Sequence, residues 1–232
     1  MTTYLSIFLL VCILILAVGI AWRLISRRAS LPCPAWLSWM LEINAPFPTA
    51  FNTHSIVERL ELEPGMKVLD AGCGPGRLTI PIGKRIGAQG EVVAIDVQAE
   101  MLRKAKERAR SAGLTNVEFV CGEIGACKLG GDRFDRALLV TVLGEIPDRQ
   151  GALREIFDAL KPGGFLSITE IIFDPHYQSS STILRLASAI GFKERSFSGN
   201  RMSFTVNLEK ACVSEAKQRS GVYIPVRERP AV

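Results

Sequence analysis

Hydrophobic and polar positions divide the chain into two unlike parts. Residues 4–22, YLSIFLLVCILILAVGIAW, are apolar on every helical face and carry no charge. As a helix rising about 1.5 Å per residue the run would extend roughly 28 Å, close to the hydrocarbon thickness of a bilayer. Arg23, Arg27 and Arg28 then stop it. A secretory signal peptide would carry basic residues ahead of the run and a small-residue cleavage site behind it, and neither stands out. A core helix of a small domain would show a polar face. The pattern predicts a transmembrane helix with a basic flank over residues 1–30. The arginines orient it as a single pass of the cell membrane, with the remainder of the chain on the cytoplasmic side. Residues 31–48, LPCPAWLSWMLEINAPFP, set Trp36 and Trp39 between prolines. This interfacial or linker segment reads equally as a short helix at headgroup level and as a cap on the domain's own core.

From residue 49 the periodicity changes to short apolar runs alternating with helical spacings. Apolar positions at Phe51, Ile56, Val57 and Leu60 predict a helix over 49–60, closed by Pro64-Gly65. A strand is expected at 66–70, a helix at 78–86 with Pro81 tolerated near its start, and a strand at 91–95 running into Asp96. A helix over 99–112, strands at 116–121 and 134–140 and a helix over 149–160 follow. Lys161-Pro162-Gly163-Gly164 is read as a turn into a strand at 165–172, and the polar 173–181 as a loop. A helix at 182–190, a strand opening at Gly191-Phe192, a turn at 198–200 and an alternating strand at 201–208 complete the domain. Repeated strand-helix units of this size predict an α/β fold with a mostly parallel sheet covered by helices on both faces. Residues 211–232 lack sustained periodicity and read as a flexible basic tail.

The candidate chemistry begins where the first strand ends, at VLDAGCGPGR, residues 68–77. Gly72, Gly74 and Gly76 let the backbone turn sharply, take positive φ and approach a ligand closely. An ordinary strand-to-helix turn is one reading. A dinucleotide site is a second, but its G-x-G-x-x-G spacing needs a glycine where Arg77 stands. The third is a site for S-adenosylmethionine, because Asp70 ahead of the glycines suits an ammonium group and would repel a pyrophosphate. Asp96, twenty residues beyond the glycines, is placed to accept hydrogen bonds from a ribose diol, which suits either ligand. The same residue could also cap the following helix.

Four ordered segments make the third reading specific: DAGCGPG at 70–76, AIDVQAEML at 94–102, FDRALLVTVLGEIPD at 134–148 and LKPGG at 160–164. Over residues 61–210 the chain resembles the class I S-adenosylmethionine-dependent methyltransferases, especially the branch that includes quinone and phospholipid methyltransferases. The resemblance implies a Rossmann-like seven-stranded sheet with an antiparallel last strand, a methyltransferase domain over 49–210. It also implies a cofactor site of Asp70, Ala71, Gly72, Cys73, Gly74, Gly76, Asp96, Val97, Met101, Gly122, Glu123, Ile124 and Thr141. Glu123 replaces the aspartate that usually faces the adenine amino group, and Gly144-Glu145 replaces a region where relatives often carry histidine.

Composition narrows the partners. The formal charge of +5 falls at the two ends, leaving 31–210 without net charge, which disfavours nucleic acid and suits anionic lipid headgroups. Six cysteines form no C-x-x-C pair, and His54 and His176 lie far from them in sequence, so no metal site is expected. A sulfonium methyl group needs no acid to depart, and a base only if the acceptor must lose a proton. The candidates for that role are Glu145, His54 and Tyr177. The expected activity is membrane-anchored methyl transfer to a lipid-like acceptor, a phospholipid headgroup or a quinone. The expected partners are the bilayer and a membrane lipid or hydrophobic small-molecule substrate; a membrane-tethered methyltransferase of a soluble small molecule, or a non-catalytic S-adenosylmethionine-binding partner subunit, are the alternatives.

Overall fold

A computed structural model describes residues 52–211 and, near the amino end, Tyr4, Ser6, Ile7, Leu10, Val11, Ile13, Leu14 and Ala17. The expected interfacial segment at 31–48, the tail from 212 onward and most of the apolar run at 4–22 lie outside the described residues. Among those described, no helix is long and apolar enough to cross a membrane.

Seven strands form one sheet in the order β3-β2-β1-β4-β5-β7-β6. They are β1 (Lys67–Ala71), β2 (Glu91–Asp96), β3 (Val117–Cys121), β4 (Phe134–Val140), β5 (Leu160–Ile171), β6 (Phe192–Gly199) and β7 (Ser203–Lys210). The five strands β1 to β5 pair in parallel, and β7 runs antiparallel to both β5 and β6. Helices α1 (Thr53–Arg59), α2 (Thr79–Ile86), α3 (Ala99–Ser111), α4 (Arg149–Ala159) and α5 (Ser180–Ile190) cover it. Strand alternation sorts the core into two sides. Val68, Val92, Leu138 and Phe165 pack with Ile56 of α1, Leu60 at its C-cap, and Ile82 and Ile86 of α2. Leu69, Val93, Leu139 and Leu166 face Leu153 and Ile156 of α4 and Ile183 and Ala187 of α5. With both faces covered, β1, β2 and β4 need near-continuous apolar sequence, which explains why these strands were legible as runs.

Four local expectations are corrected. Lys161-Pro162-Gly163-Gly164 is not a turn ahead of a strand: β5 begins at Leu160, which pairs with Phe134, and the register shifts between Phe134 and Arg136. Gly163 takes φ +80° there, and a side chain on Gly164 would meet three backbone oxygens at 3.0–3.2 Å, so the glycines serve an irregular strand. Asp96 is not the cap of α3; Gln98 holds that position without a side-chain bond. Helix α5 starts two residues early because the Ser179 hydroxyl accepts the Thr182 N–H, so serines read as loop are its cap. Finally, α1 begins only at Thr53, since extended Asn52 accepts the His54 N–H through its side chain.

Phe134 is fully buried at the join of β4 and the irregular start of β5. Phe134→Ala is expected to lower the unfolding free energy by about 3–5 kcal/mol, read from urea denaturation. A loss under about 1 kcal/mol would mean that this site collapses without leaving a cavity.

Candidate cofactor and acceptor site

The carboxyl ends of β1, β2, β3 and β4 meet at one edge of the sheet, where α/β folds bind ligands. Between β1 and α2 the glycine loop is held by a set of backbone bonds. The N–H groups of Gly72 and Cys73 both donate to the Ile95 carbonyl, at 2.8 and 2.9 Å. The Gly74 N–H donates to Asp96 Oδ2 at 2.8 Å, and the Gln98 N–H donates to Asp96 Oδ1 at 2.8 Å. One carboxylate therefore clasps the loop to the start of α3. Gly72 and Gly76 are required for space as well as for positive φ: a Cβ would fall 2.4 Å from Val142 at the first and 3.1 Å from Ala105 at the second.

Asp70 is 3% exposed and accepts the Thr79 hydroxyl at 2.6 Å. Burial pushes its pKa up to about 6; the Thr79 bond and the Arg77 guanidinium oppose this, and Asp96 adds to it. Burial likewise raises Asp96, while the N–H groups of Gln98 and Gly74 pull it down. Two buried acids side by side, with the Arg77 guanidinium acting on Asp70, favour a ligand that brings further positive charge and hydroxyl donors. The site thus fits the ammonium and ribose of S-adenosylmethionine. Cys73 packs with Ala94 and Leu102, and burial raises its thiol well above the usual range, so it is an inert filler. Ala71 lies in the core, whereas Val97 is 53% exposed and offers an apolar surface just past Asp96. Met101 is 2% exposed and presents almost no surface. At the β3 end, the Gly122 N–H donates to the Asp96 carbonyl, Glu123 is exposed and Ile124 is buried in the core.

At the other end of the edge, Thr141 has φ +56°, an unusual conformation for a branched residue, and its N–H donates to the Thr169 carbonyl. Behind it the turn at 142–146 meets the loop after β5 so tightly that a Cβ on Gly144 would lie 1.8 Å from the His176 carbonyl oxygen. The three sequence-derived candidates for a base are not brought together. Glu145 stands 3.8 Å from the His176 imidazole, Tyr177 donates its hydroxyl to the Arg201 carbonyl at 2.9 Å, and His54 is exposed on α1. Sequence reasoning missed Glu170, which is 1% exposed at the end of β5. A carboxylate inside FLSITEI was the available signal.

The fold and this loop define a Rossmann-like domain of the S-adenosylmethionine-dependent methyltransferases. The chain belongs to the family described as methyltransferase domain, whose model matches residues 62–220. Among curated relatives, the ubiquinone/menaquinone biosynthesis C-methyltransferase UbiE of Cronobacter sakazakii is 33% identical over 135 residues, 54% of either chain. The chain thus spans about half the length of that relative. Among solved structures, an S-adenosylmethionine-dependent methyltransferase from Aquifex aeolicus superposes with TM-score 0.68 at 23% identity, over 78% of this chain and all of that one. The [4+2]-cyclase SpnF superposes with TM-score 0.62 at 20% identity, over 69% of this chain and 80% of its own.

Three outcomes follow for cofactor binding. An ammonium ligand needs Asp70 ionised, so affinity for S-adenosylhomocysteine should fall as pH drops through about 6, by up to roughly tenfold per unit. Asp70→Asn should bind weakly and without that pH dependence, as read by calorimetry at pH 5 and 7.5. Gly72→Ala, strained by φ +74° and driven into Val142, should abolish binding.

Proposed function

We propose that the protein is a membrane-associated methyltransferase that moves the methyl group of S-adenosylmethionine to a quinone-type or other lipid-like acceptor. The observation that carries the methyl-donor half is the clasp of Asp70, Asp96 and the three-glycine loop. S-adenosylmethionine supplies an activated methyl whose sulfur is already a good leaving group. The chain's own part is placement. Asp70 and Asp96 fix the two ends of the donor, and Val142, wedged over Gly72, bounds the space in which the acceptor must approach in line. The UbiE relative supports a quinone-type acceptor, and the sequence supports a membrane location.

The apolar run adds support. Tyr4, Ile7, Leu10, Val11, Ile13 and Leu14 are helical and exposed, between 48% and 81%, so the domain does not bury them. Exposed large apolar side chains in series call for another apolar phase. On this reading residues 1–30 anchor the protein by a single pass of the cell membrane and the arginine flank keeps the catalytic domain cytoplasmic. A fold shared with a cyclase means that the sheet alone does not decide the reaction, so the site residues must.

The test is transfer of labelled methyl from S-adenosylmethionine into a total membrane-lipid extract by the full-length chain, with Asp70→Ala as control. Label in a quinone fraction, absent with the variant, is the expected result. Label confined to water-soluble products would overturn the lipid acceptor, and cofactor binding without any transfer would overturn the enzyme.

A further inference from the structure

On the function proposed above, the donor belongs at the ends of β1, β2 and β3, which leaves the ends of β4 and β5 for the acceptor. Two segments wall that space: the 142–146 turn after β4 and the 172–179 loop after β5. They meet most tightly where the backbone of His176 lies on Gly144 with no room for a Cβ. Under the loop is Glu170. Its Oε2 accepts the Gln178 N–H at 3.3 Å, whereas its Oε1 is buried and has no hydrogen-bond partner. Buried carboxyl oxygens are rarely left this way without a role.

The groups around this carboxyl are mostly acidic. Glu145 comes from the β4 turn, Asp174 from the loop and Arg149 from the first residue of α4. Arg149 is occupied in the same turn, donating to the carbonyls of Leu143 and Gly144 at 3.2 and 3.0 Å. His176 stands 3.8 Å from Glu145 and 3.9 Å from Asp174 through Nδ1, and its N–H donates to Asp174 Oδ1 at 2.7 Å. Tyr177 also faces Glu170 and is tied to the β6–β7 hairpin at Arg201. A negative charge on Glu170 would have no bonded cation and two acids nearby.

We propose that Glu170 is a positioning residue for methyl transfer: as the uncharged acid it clamps the 172–179 loop against the β4 turn, and its ionisation releases the loop from the acceptor space. The proton moves between the Glu170 carboxyl group and solvent, and no other bond changes. Burial raises this carboxyl to about 8, with Asp174 and Glu145 adding to the rise and the Gln178 N–H and Arg149 opposing it. The sign follows. The clamped form holds a proton that the released form gives up, so the clamp is firm at low pH and weakens as pH rises through about 8. For the transfer reaction the inference rests on the function proposed above; the clamp itself does not.

Hydrogen exchange at the Gln178 amide, corrected for the intrinsic pH dependence of exchange, tests it on the full-length chain. Wild type should lose about tenfold in protection between pH 7 and 9. Glu170→Gln, which keeps an acceptor for the Gln178 N–H and cannot ionise, should hold its protection flat. Glu170→Leu should be unprotected at every pH while melting close to wild type, since it also removes the unpartnered oxygen. Where a methyl acceptor has been found, kcat should fall between pH 7 and 9 in wild type and not in Glu170→Gln. A wild-type protection profile that is flat, or that Glu170→Gln reproduces, overturns the clamp. Failure to methylate quinols alongside a pH-dependent Gln178 amide overturns only the acceptor assignment.

Discussion

The carboxylate of Asp96 is the constraint on which the rest of the site depends. It ends β2, and its two oxygens take the N–H groups of Gly74 and Gln98. The glycine loop after β1 and the first turn of α3 are thereby fixed to the same point. A loop with three positive-φ glycines would otherwise sample many conformations, and ordering it would oppose ligand binding. Holding it through a buried acid stores the arrangement before the ligand arrives. The same acid remains at the position where a ribose can use its remaining lone pairs.

The sheet edge then divides by charge. Asp70 and Asp96 lie at the β1 and β2 end, the half proposed for the donor, and burial raises both. Glu145, Glu170 and Asp174 gather at the β4 and β5 end, the half proposed for the acceptor, with Arg149 turned to backbone carbonyls. Between them, Val142 covers Gly72 and Thr141 takes its left-handed backbone. A methyl group passing from one half to the other must cross at this narrow junction. Alignment there can account for much of the catalysis that a reactive sulfonium requires.

Much of this was legible in the chain, for physical reasons that differ by element. Strand β4 was read at its observed limits because a strand buried on both faces must be apolar throughout. The glycine loop was read because close packing excludes side chains there. The Lys161-Pro162-Gly163-Gly164 segment misled because Pro and Gly signal a turn, whereas here they build a register shift inside β5. Asp96 was legible as the acid that ends β2, but its bond to Gly74 depends on a contact twenty-two residues away that no local pattern records. Glu170 escaped notice because a single acid in an apolar strand does not reveal which loop will cover it. Glu145, His54 and Tyr177 were chosen by residue type; tertiary contacts bring Glu145 and Tyr177 to the surroundings of Glu170 and leave His54 apart, exposed on α1.

The most direct test of the account is the structure of the full-length protein with S-adenosylhomocysteine bound. The ribose hydroxyls should lie about 2.6–3.0 Å from the Asp96 carboxylate, with the amino group of the amino-acid end directed to Asp70 and the adenine against Val97. A ligand bound elsewhere, or a ribose that leaves Asp96 bonded only to Gly74 and Gln98, would contradict the claim that this clasped loop is the methyl-donor site.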